Sequence, residues 1–163
     1  MPGLIKLDGG RVFGLECHAI SDGGRFPIEH TGRGADVSPE LLLENLPPET
    51  VTLAVILEDL DHLIRGFPHW VIWNLPPEAR IPGGIPKGGH TPDGAVQGIA
   101  YGFHRYAGPK PPRGSTHRYR FTAYALDTAL PLGAGAGKWR LQRAMKSHIL
   151  QQASLTASFG YNI

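Results

Sequence analysis

Val51-Thr-Leu-Ala-Val-Ile-Leu-Glu58, closed by Asp59-Leu60-Asp61, is the stretch on which the fold turns. From Val51 to Leu57 both alternating faces are apolar except at Thr52, which predicts a central strand covered on both sides. Beyond a loop over 59–68, the run His69-Trp-Val-Ile-Trp-Asn-Leu75 is rich in Val, Ile and Trp and predicts the next strand. Pro76-Pro77 stops it. Further on, His117 to Leu126 alternates. His117, Tyr119, Phe121, Ala123 and Ala125 share one face, and Arg118, Arg120, Thr122 and Tyr124 share the other.

Punctuation between these runs is dense, with 22 glycines and 15 prolines, and it favours many strands joined by turns. Ile81–Gly94 and Ala107–Thr116 read as Gly/Pro loops, and Val96–Tyr106 as strand in part. Leu132–Gly137 reads as a flexible connector. The one helix predicted spans Lys138–Ala153, where Leu141, Met145, Ile149 and Gln152 follow helical spacing. Ser154–Gly160 returns to strand character. No repeat, low-complexity tract or linker interrupts the chain. The expectation is a single mostly-β domain over 1–163, a sandwich or barrel with a late helix.

The chain of 163 residues is 41% hydrophobic and only 18% charged, which argues against charge-driven disorder. Its formal charge is +2, without a concentrated basic run, so no nucleic-acid surface is expected. The basic residues of Lys138–Lys146 read as the solvated side of the helix. Cys17 is the only cysteine, which rules out an internal disulfide and fits a reducing compartment. Met1-Pro-Gly-Leu-Ile-Lys6 has no apolar signal core, and no stretch approaches the roughly 20 apolar residues that span a bilayer. A cytoplasmic protein without a transmembrane segment is expected. No zinc-protease or paired-cysteine motif, nucleophile elbow, P-loop or dinucleotide fingerprint is present, so neither metal nor cofactor is expected.

Order and spacing alone gather chemistry at one edge. If strands 51–58 and 69–75 form an antiparallel pair, Asp59, Asp61 and His69 lie at the same end of the sheet. A strand from His117 running in the same direction as 69–75 delivers a second imidazole there. Carboxylates beside imidazoles fix a tautomer and raise the imidazole pKa. Protonated imidazoles with backbone N–H groups accept a phosphate, and the same groups can form an acid/base pair or ligate a metal. Each piece also has a plainer meaning. Asp-X-Asp at a strand end is common turn chemistry, Gly-Pro-Lys-Pro-Pro can be a stiff connector, and Trp70 and Tyr119 can be core or pocket wall. His18, His30, His62, His90, His104 and His148 show no ligand spacing.

At these residues the chain resembles the phosphatidylethanolamine-binding protein (PEBP) family, in its bacterial and archaeal branch, often described as Raf-kinase-inhibitor-like. The resemblance is carried by Asp22-Gly-Gly to Pro27, Ser38-Pro-Glu-Leu41, Glu58-Asp-Leu-Asp61, His69-Trp70, Tyr106-Ala-Gly-Pro-Lys-Pro-Pro to His117-Arg-Tyr119, Tyr124-Ala-Leu-Asp127 and Ser154 to Gly160. It implies a two-sheet antiparallel β-sandwich with a C-terminal helix. It also implies an anion pocket lined by Asp59, Asp61, His69, His117 and Tyr119, with Gly108 and Pro112 at its rim. Four positions depart from the family pattern: Leu43 for a common Trp, Leu60 and Leu63 for prolines, and Ala100 for an acidic residue. They predict a wider or greasier mouth.

The function expected is non-enzymatic binding of a small phosphate-bearing or other anionic ligand. The alternatives are a protein–protein regulator, such as a kinase or protease inhibitor, and an esterase or phosphoesterase using His69 and His117. Relatives in this branch often pair, and Phe67, Trp70, Trp73 and Phe103 supply apolar material, so a homodimer is also expected.

Overall fold

A computed structural model describes residues 12–160. The N-terminal Met1–Lys6 read above lies outside them. Eight strands, one α-helix and a short 3-10 helix (Ile28–His30) organise the described chain. Strands β1 (Gly14–Glu16), β2 (Leu41–Glu44) and β5 (Arg80–Ile81) form a small sheet in the order β1-β2-β5. Strands β3 (Thr52–Asp59), β4 (Phe67–Leu75), β6 (Val96–Gln97), β7 (Thr116–Leu126) and β8 (Ile149–Gly160) form a larger one in the order β6-β4-β3-β7-β8. The strands of both sheets pair antiparallel. One helix, α1 (Lys138–Met145), precedes β8.

Strand β3 is central and buried along its whole length, as a doubly apolar run requires. Its two faces feed two clusters. Leu53, Val55 and Leu57 pack with Trp70, Phe121 and the small sheet's Leu41, Leu43 and Ile81. Ala54 and Ile56 pack with Val71, Trp73, Leu126 and the helix residues Leu141 and Met145. Strand alternation therefore assigns each residue at the β3 terminus to one layer or the other.

Two expectations need correction. The helix stops at Met145 instead of running to Ala153, and residues 149–153 belong to β8. In β8, Gln151, Ala153, Leu155, Ala157 and Phe159 are buried on a period of two and pair along β7. Ile149 matched the helical spacing by coincidence, and it is 37% exposed where Leu141 and Met145 are buried. The 96–106 stretch is strand in part, as expected, over Val96–Gln97, and the remainder is turn and loop. Trp70 and Trp73 are wholly inside the core, so they contribute nothing to a surface. The exposed large apolar residues include Leu63, Ile64, Tyr101, Phe103 and Trp139. Among the described residues no helix is long and apolar enough to cross a membrane.

Candidate functional site

Because β4 and β7 both run antiparallel to β3, they run in the same direction on either side of it. Their first residues therefore flank the end of β3, where Asp59 pairs with Phe67 on one side and Tyr119 on the other. Alternation from Leu57 puts Asp59 on the face shared with Tyr119 and His117. His69 reaches this edge by a different device. Leu57 pairs with Trp70 and Glu58 with Pro68, so the ladder skips His69. A residue left over at a bulge escapes strict alternation and can be aimed at a site.

The side chains assembled there are mostly buried. Asp59 is 2% exposed and His69 3%. His117 Nδ1 lies 2.7 Å from Asp59 Oδ2, and the other carboxylate oxygen accepts the Asp61 N–H at 2.8 Å. His69 Nδ1 donates to the Ala107 and Gly108 carbonyls at 2.8 and 3.2 Å. Carbonyls only accept, so His69 carries its proton on Nδ1 when neutral, and Nε2 is left for a ligand. The anchored Nδ1 of His117 leaves its Nε2 in the same condition. Tyr119 sits beside both rings, with centroids 5.3 Å from His69 and 6.2 Å from His117. Its hydroxyl is buried with the Lys110 backbone N–H beside its oxygen, and its own proton meets no acceptor among the described residues. Burial, with Asp59 beside it, pushes the phenol pKa up and keeps it protonated as a donor.

Burial also pushes the His69 pKa down, against the opposing pull of the Ala107 carbonyl and the Asp59 charge. Sequence reasoning expected carboxylates to move the imidazoles upward. At His69 desolvation wins, because the ring lies under Tyr101 and against Phe67.

The other candidate residues are placed differently. Asp61 holds Arg118, accepting from its backbone N–H at 2.7 Å, from Nε at 3.0 Å and from a terminal nitrogen at 2.9 Å, while its charge still acts on His117 and Tyr119. The Arg118 guanidinium pulls the Asp61 carboxyl down to about 2. The turn made by Asp59 ends strand geometry there, so the two aspartates do not share a face. Gly108 is buried against the 30–36 segment, where an added Cβ would overlap the His30 carbonyl. Pro112 is exposed, and its carbonyl accepts from the N–H and hydroxyl of Ser115.

Three features escaped the sequence reading. Tyr101 lies parallel over His69 with a 5.0 Å ring separation, half exposed, and meets Phe67, which stacks on His62. Asp36 accepts the Gly108 N–H at 2.7 Å. On the opposite face of the same edge, Glu58 meets Arg120 at 3.0 Å and Lys138 at 3.6 Å, and Lys138 donates to the Gly66 carbonyl at 2.7 Å. The departures read from sequence have clear positions. Leu43 is core, Ala100 packs against the helix-side cluster and Leu63 is fully exposed. Among the described residues no group of three or more His, Cys, Asp or Glu is arranged to hold a metal.

A family model for phosphatidylethanolamine-binding protein matches residues 16–160. A UPF0098 protein of Methanothermobacter thermautotrophicus is 43% identical over 143 residues, covering 86% of this chain and 94% of that protein. A UPF0098 protein of Pyrococcus horikoshii is 40% identical, covering 96% of this chain and 82% of that one. Among solved structures, a PEBP homolog of Chlamydia trachomatis superposes with a TM-score of 0.80 at 32% identity, over 90% of this chain and 96% of that one. Escherichia coli YbcL, described as a member of the mammalian PEBP family, gives 0.82 at 27% identity, over 93% and 98%.

Proposed function

The chain belongs to the phosphatidylethanolamine-binding protein family, and from that membership and the unmatched donor proton of the Tyr119 hydroxyl we propose that it binds a small phosphate-bearing or other anionic ligand without transforming it. A buried hydroxyl whose proton meets no acceptor costs free energy that a ligand oxygen would recover. Tyr119 is flanked by two imidazoles whose Nδ1 atoms are already engaged. Together they offer three donors to one oxyanion once the imidazoles are protonated. The lone free thiol, Cys17, is compatible with a cytoplasmic setting.

Sulfate is the sharpest probe, because it keeps its charge across the histidine range while phosphate titrates. An anion prefers protonated His69, whose pKa burial depresses in the free site. Binding therefore takes up a proton, and affinity rises as pH falls. The rise begins at the pKa of the anion-bound ring, which the bound charge lifts, and continues down to the depressed pKa of the free ring. Calorimetric titration from about pH 8 to about pH 5 is expected to show this. Tyr119→Phe is expected to weaken binding about tenfold while leaving stability equal or slightly higher, since it deletes an unsatisfied hydroxyl. Affinity flat with pH, or unaffected by Tyr119→Phe, removes the support for this reading.

The Asp59–His117 pair favours a second reading, because a carboxylate-held imidazole with a free Nε2 is also a general base. Turnover of chromogenic esters, lost in His117→Ala, would select it. A role as a protein-partner regulator would show as a complex that survives pocket substitutions. We further propose self-association through the exposed Leu63, Ile64, Tyr101 and Phe103. Sedimentation equilibrium is expected to show a dimer, burying at least roughly 1,000 Å². Monomer mass at every concentration overturns it.

A further inference from the structure

We propose that Asp36 is a positioning residue for His69, acting through the single peptide group that joins Ala107 to Gly108. The inference rests on the reading of the imidazole cluster as the anion site. One face of that peptide is the Ala107 carbonyl, which accepts the His69 Nδ1 proton at 2.8 Å. Its other face is the Gly108 N–H, which donates to Asp36 Oδ1 at 2.7 Å. Carboxylate, amide and imidazole thus form one chain of hydrogen bonds. An amide whose N–H is held by an anion is a stronger acceptor at its carbonyl, so the chain polarises toward His69. A carboxylate acting through an intermediary on the far nitrogen of an imidazole fixes its tautomer and raises its basicity at Nε2.

The surroundings show that this arrangement is built. Asp36 holds a left-handed backbone conformation, φ 57°, which few side chains adopt but Asp tolerates. Its second oxygen is engaged by Arg105 at 2.9 Å. The peptide cannot drift, because Tyr106 donates to the His30 carbonyl at 2.6 Å and Gly32 N–H to the Pro109 carbonyl at 2.8 Å. Gly108 fits against His30 and Thr31 only without a side chain. Arg105 draws charge off Asp36, so carboxylate and guanidinium act on His69 with opposite sign.

That opposition separates an electrostatic chain from a mere latch. The titratable groups facing His69 directly are Asp59 on β3, His62 in the β3–β4 loop, Tyr101 above the ring and Tyr119 on β7. None of them is altered by substitutions at 36 or 105. The experiment follows the His69 ring resonances by NMR against pH, in the full chain without added anion. Asp36→Asn keeps an oxygen for the Gly108 N–H but removes the charge, and is expected to lower the His69 midpoint by about half a unit or more. Arg105→Gln is expected to raise it. Sulfate affinity at fixed acidic pH should move with the midpoint, down about threefold or more in Asp36→Asn and up in Arg105→Gln. Shifts of the same sign in both variants, or none in either, overturn the proposal. If Asp36→Asn does not fold, the direction in Arg105→Gln decides alone. Opposite shifts with no sulfate bound at any pH would keep the relay and discard the anion site.

Discussion

Glu58→Ala is expected to destabilise the fold by about 3 kcal/mol, lowering the melting temperature by roughly 10 °C. Glu58 and Lys138 are both nearly inaccessible, 7% and 6% exposed. The carboxylate holds Arg120 with one oxygen and Lys138 with the other. Arg120 is a third exposed along its side chain and can turn toward water, whereas Lys138 cannot. Removing Glu58 leaves the ammonium with the Gly66 carbonyl and the Trp139 ring, 5.0 Å from its centroid. A buried charge stripped of its counter-ion is the expensive case, costing far more than the intact pair contributes. The double variant Glu58→Leu with Lys138→Met removes both charges and should recover to within about 1 kcal/mol of the parent. Thermal and denaturant unfolding of the two variants checks this. A single variant costing under about 1 kcal/mol would mean the pair is effectively solvated, and the argument from burial would fail.

The same pair links stability to the candidate site. Lys138 begins α1 and grips Gly66, just before Phe67 opens β4. Gly66 has φ 66°, and a Cβ there would come within 2.6 Å of the ammonium. The loop carrying Asp61, His62 and Phe67 is thus tied to the helix on one face of the sheet, while Asp59 serves the imidazoles on the other.

How much of this could be read from sequence follows from the range of each signal. The doubly apolar run at 51–57 and the alternation at 117–126 are local, and both strands lie where they were expected. The antiparallel order of β3, β4 and β7 then brings His69 and His117 to one edge by connectivity alone. The Arg118 contacts of Asp61 are not legible, because its direction depends on a hydrogen bond from its own N–H to Asp59, which ends the strand. The helix was drawn too long because Ile149 fits a period of four as well as the start of a strand. The bulge that aims His69 has one mark in residue type, Pro68, which has no N–H to give the ladder and reads from sequence as the end of the loop. Asp36 and Lys138 were invisible for a different reason. Each acts on a backbone group 72 residues away, Asp36 on Gly108 and Lys138 on Gly66, and no local pattern encodes such a pairing.

Asp59→Asn is expected to weaken sulfate or phosphate binding by about 30-fold, close to 2 kcal/mol, with the fold retained. Asp59 uses both carboxylate oxygens, one for the Asp61 N–H and one for His117 Nδ1. An asparagine has a single oxygen. If that oxygen keeps the Asp61 N–H, the amide NH₂ faces Nδ1 and can only donate to it. Neutral His117 then accepts at Nδ1 and carries its proton on Nε2, the opposite tautomer. Imidazolium would set N–H against N–H, so the charged form loses its support at the moment an anion needs it. The lost affinity is that of a charged donor, while Tyr119 and His69 still contribute. The pH profile should change with it. Between the parent and Tyr119→Phe the profile keeps its shape and moves only in strength, because a hydroxyl was deleted and no proton carrier was touched. In Asp59→Asn the His69 part of the profile should move to lower pH, because the charge that opposes burial at that ring is gone. Titrations of all three forms across the histidine range read both quantities. Binding in Asp59→Asn as tight as in the parent would falsify the charged-donor role of His117. Intact binding with lost ester turnover would instead move the Asp59–His117 pair from anion recognition to general-base chemistry, where the carboxylate is needed for proton transfer rather than for holding the ligand.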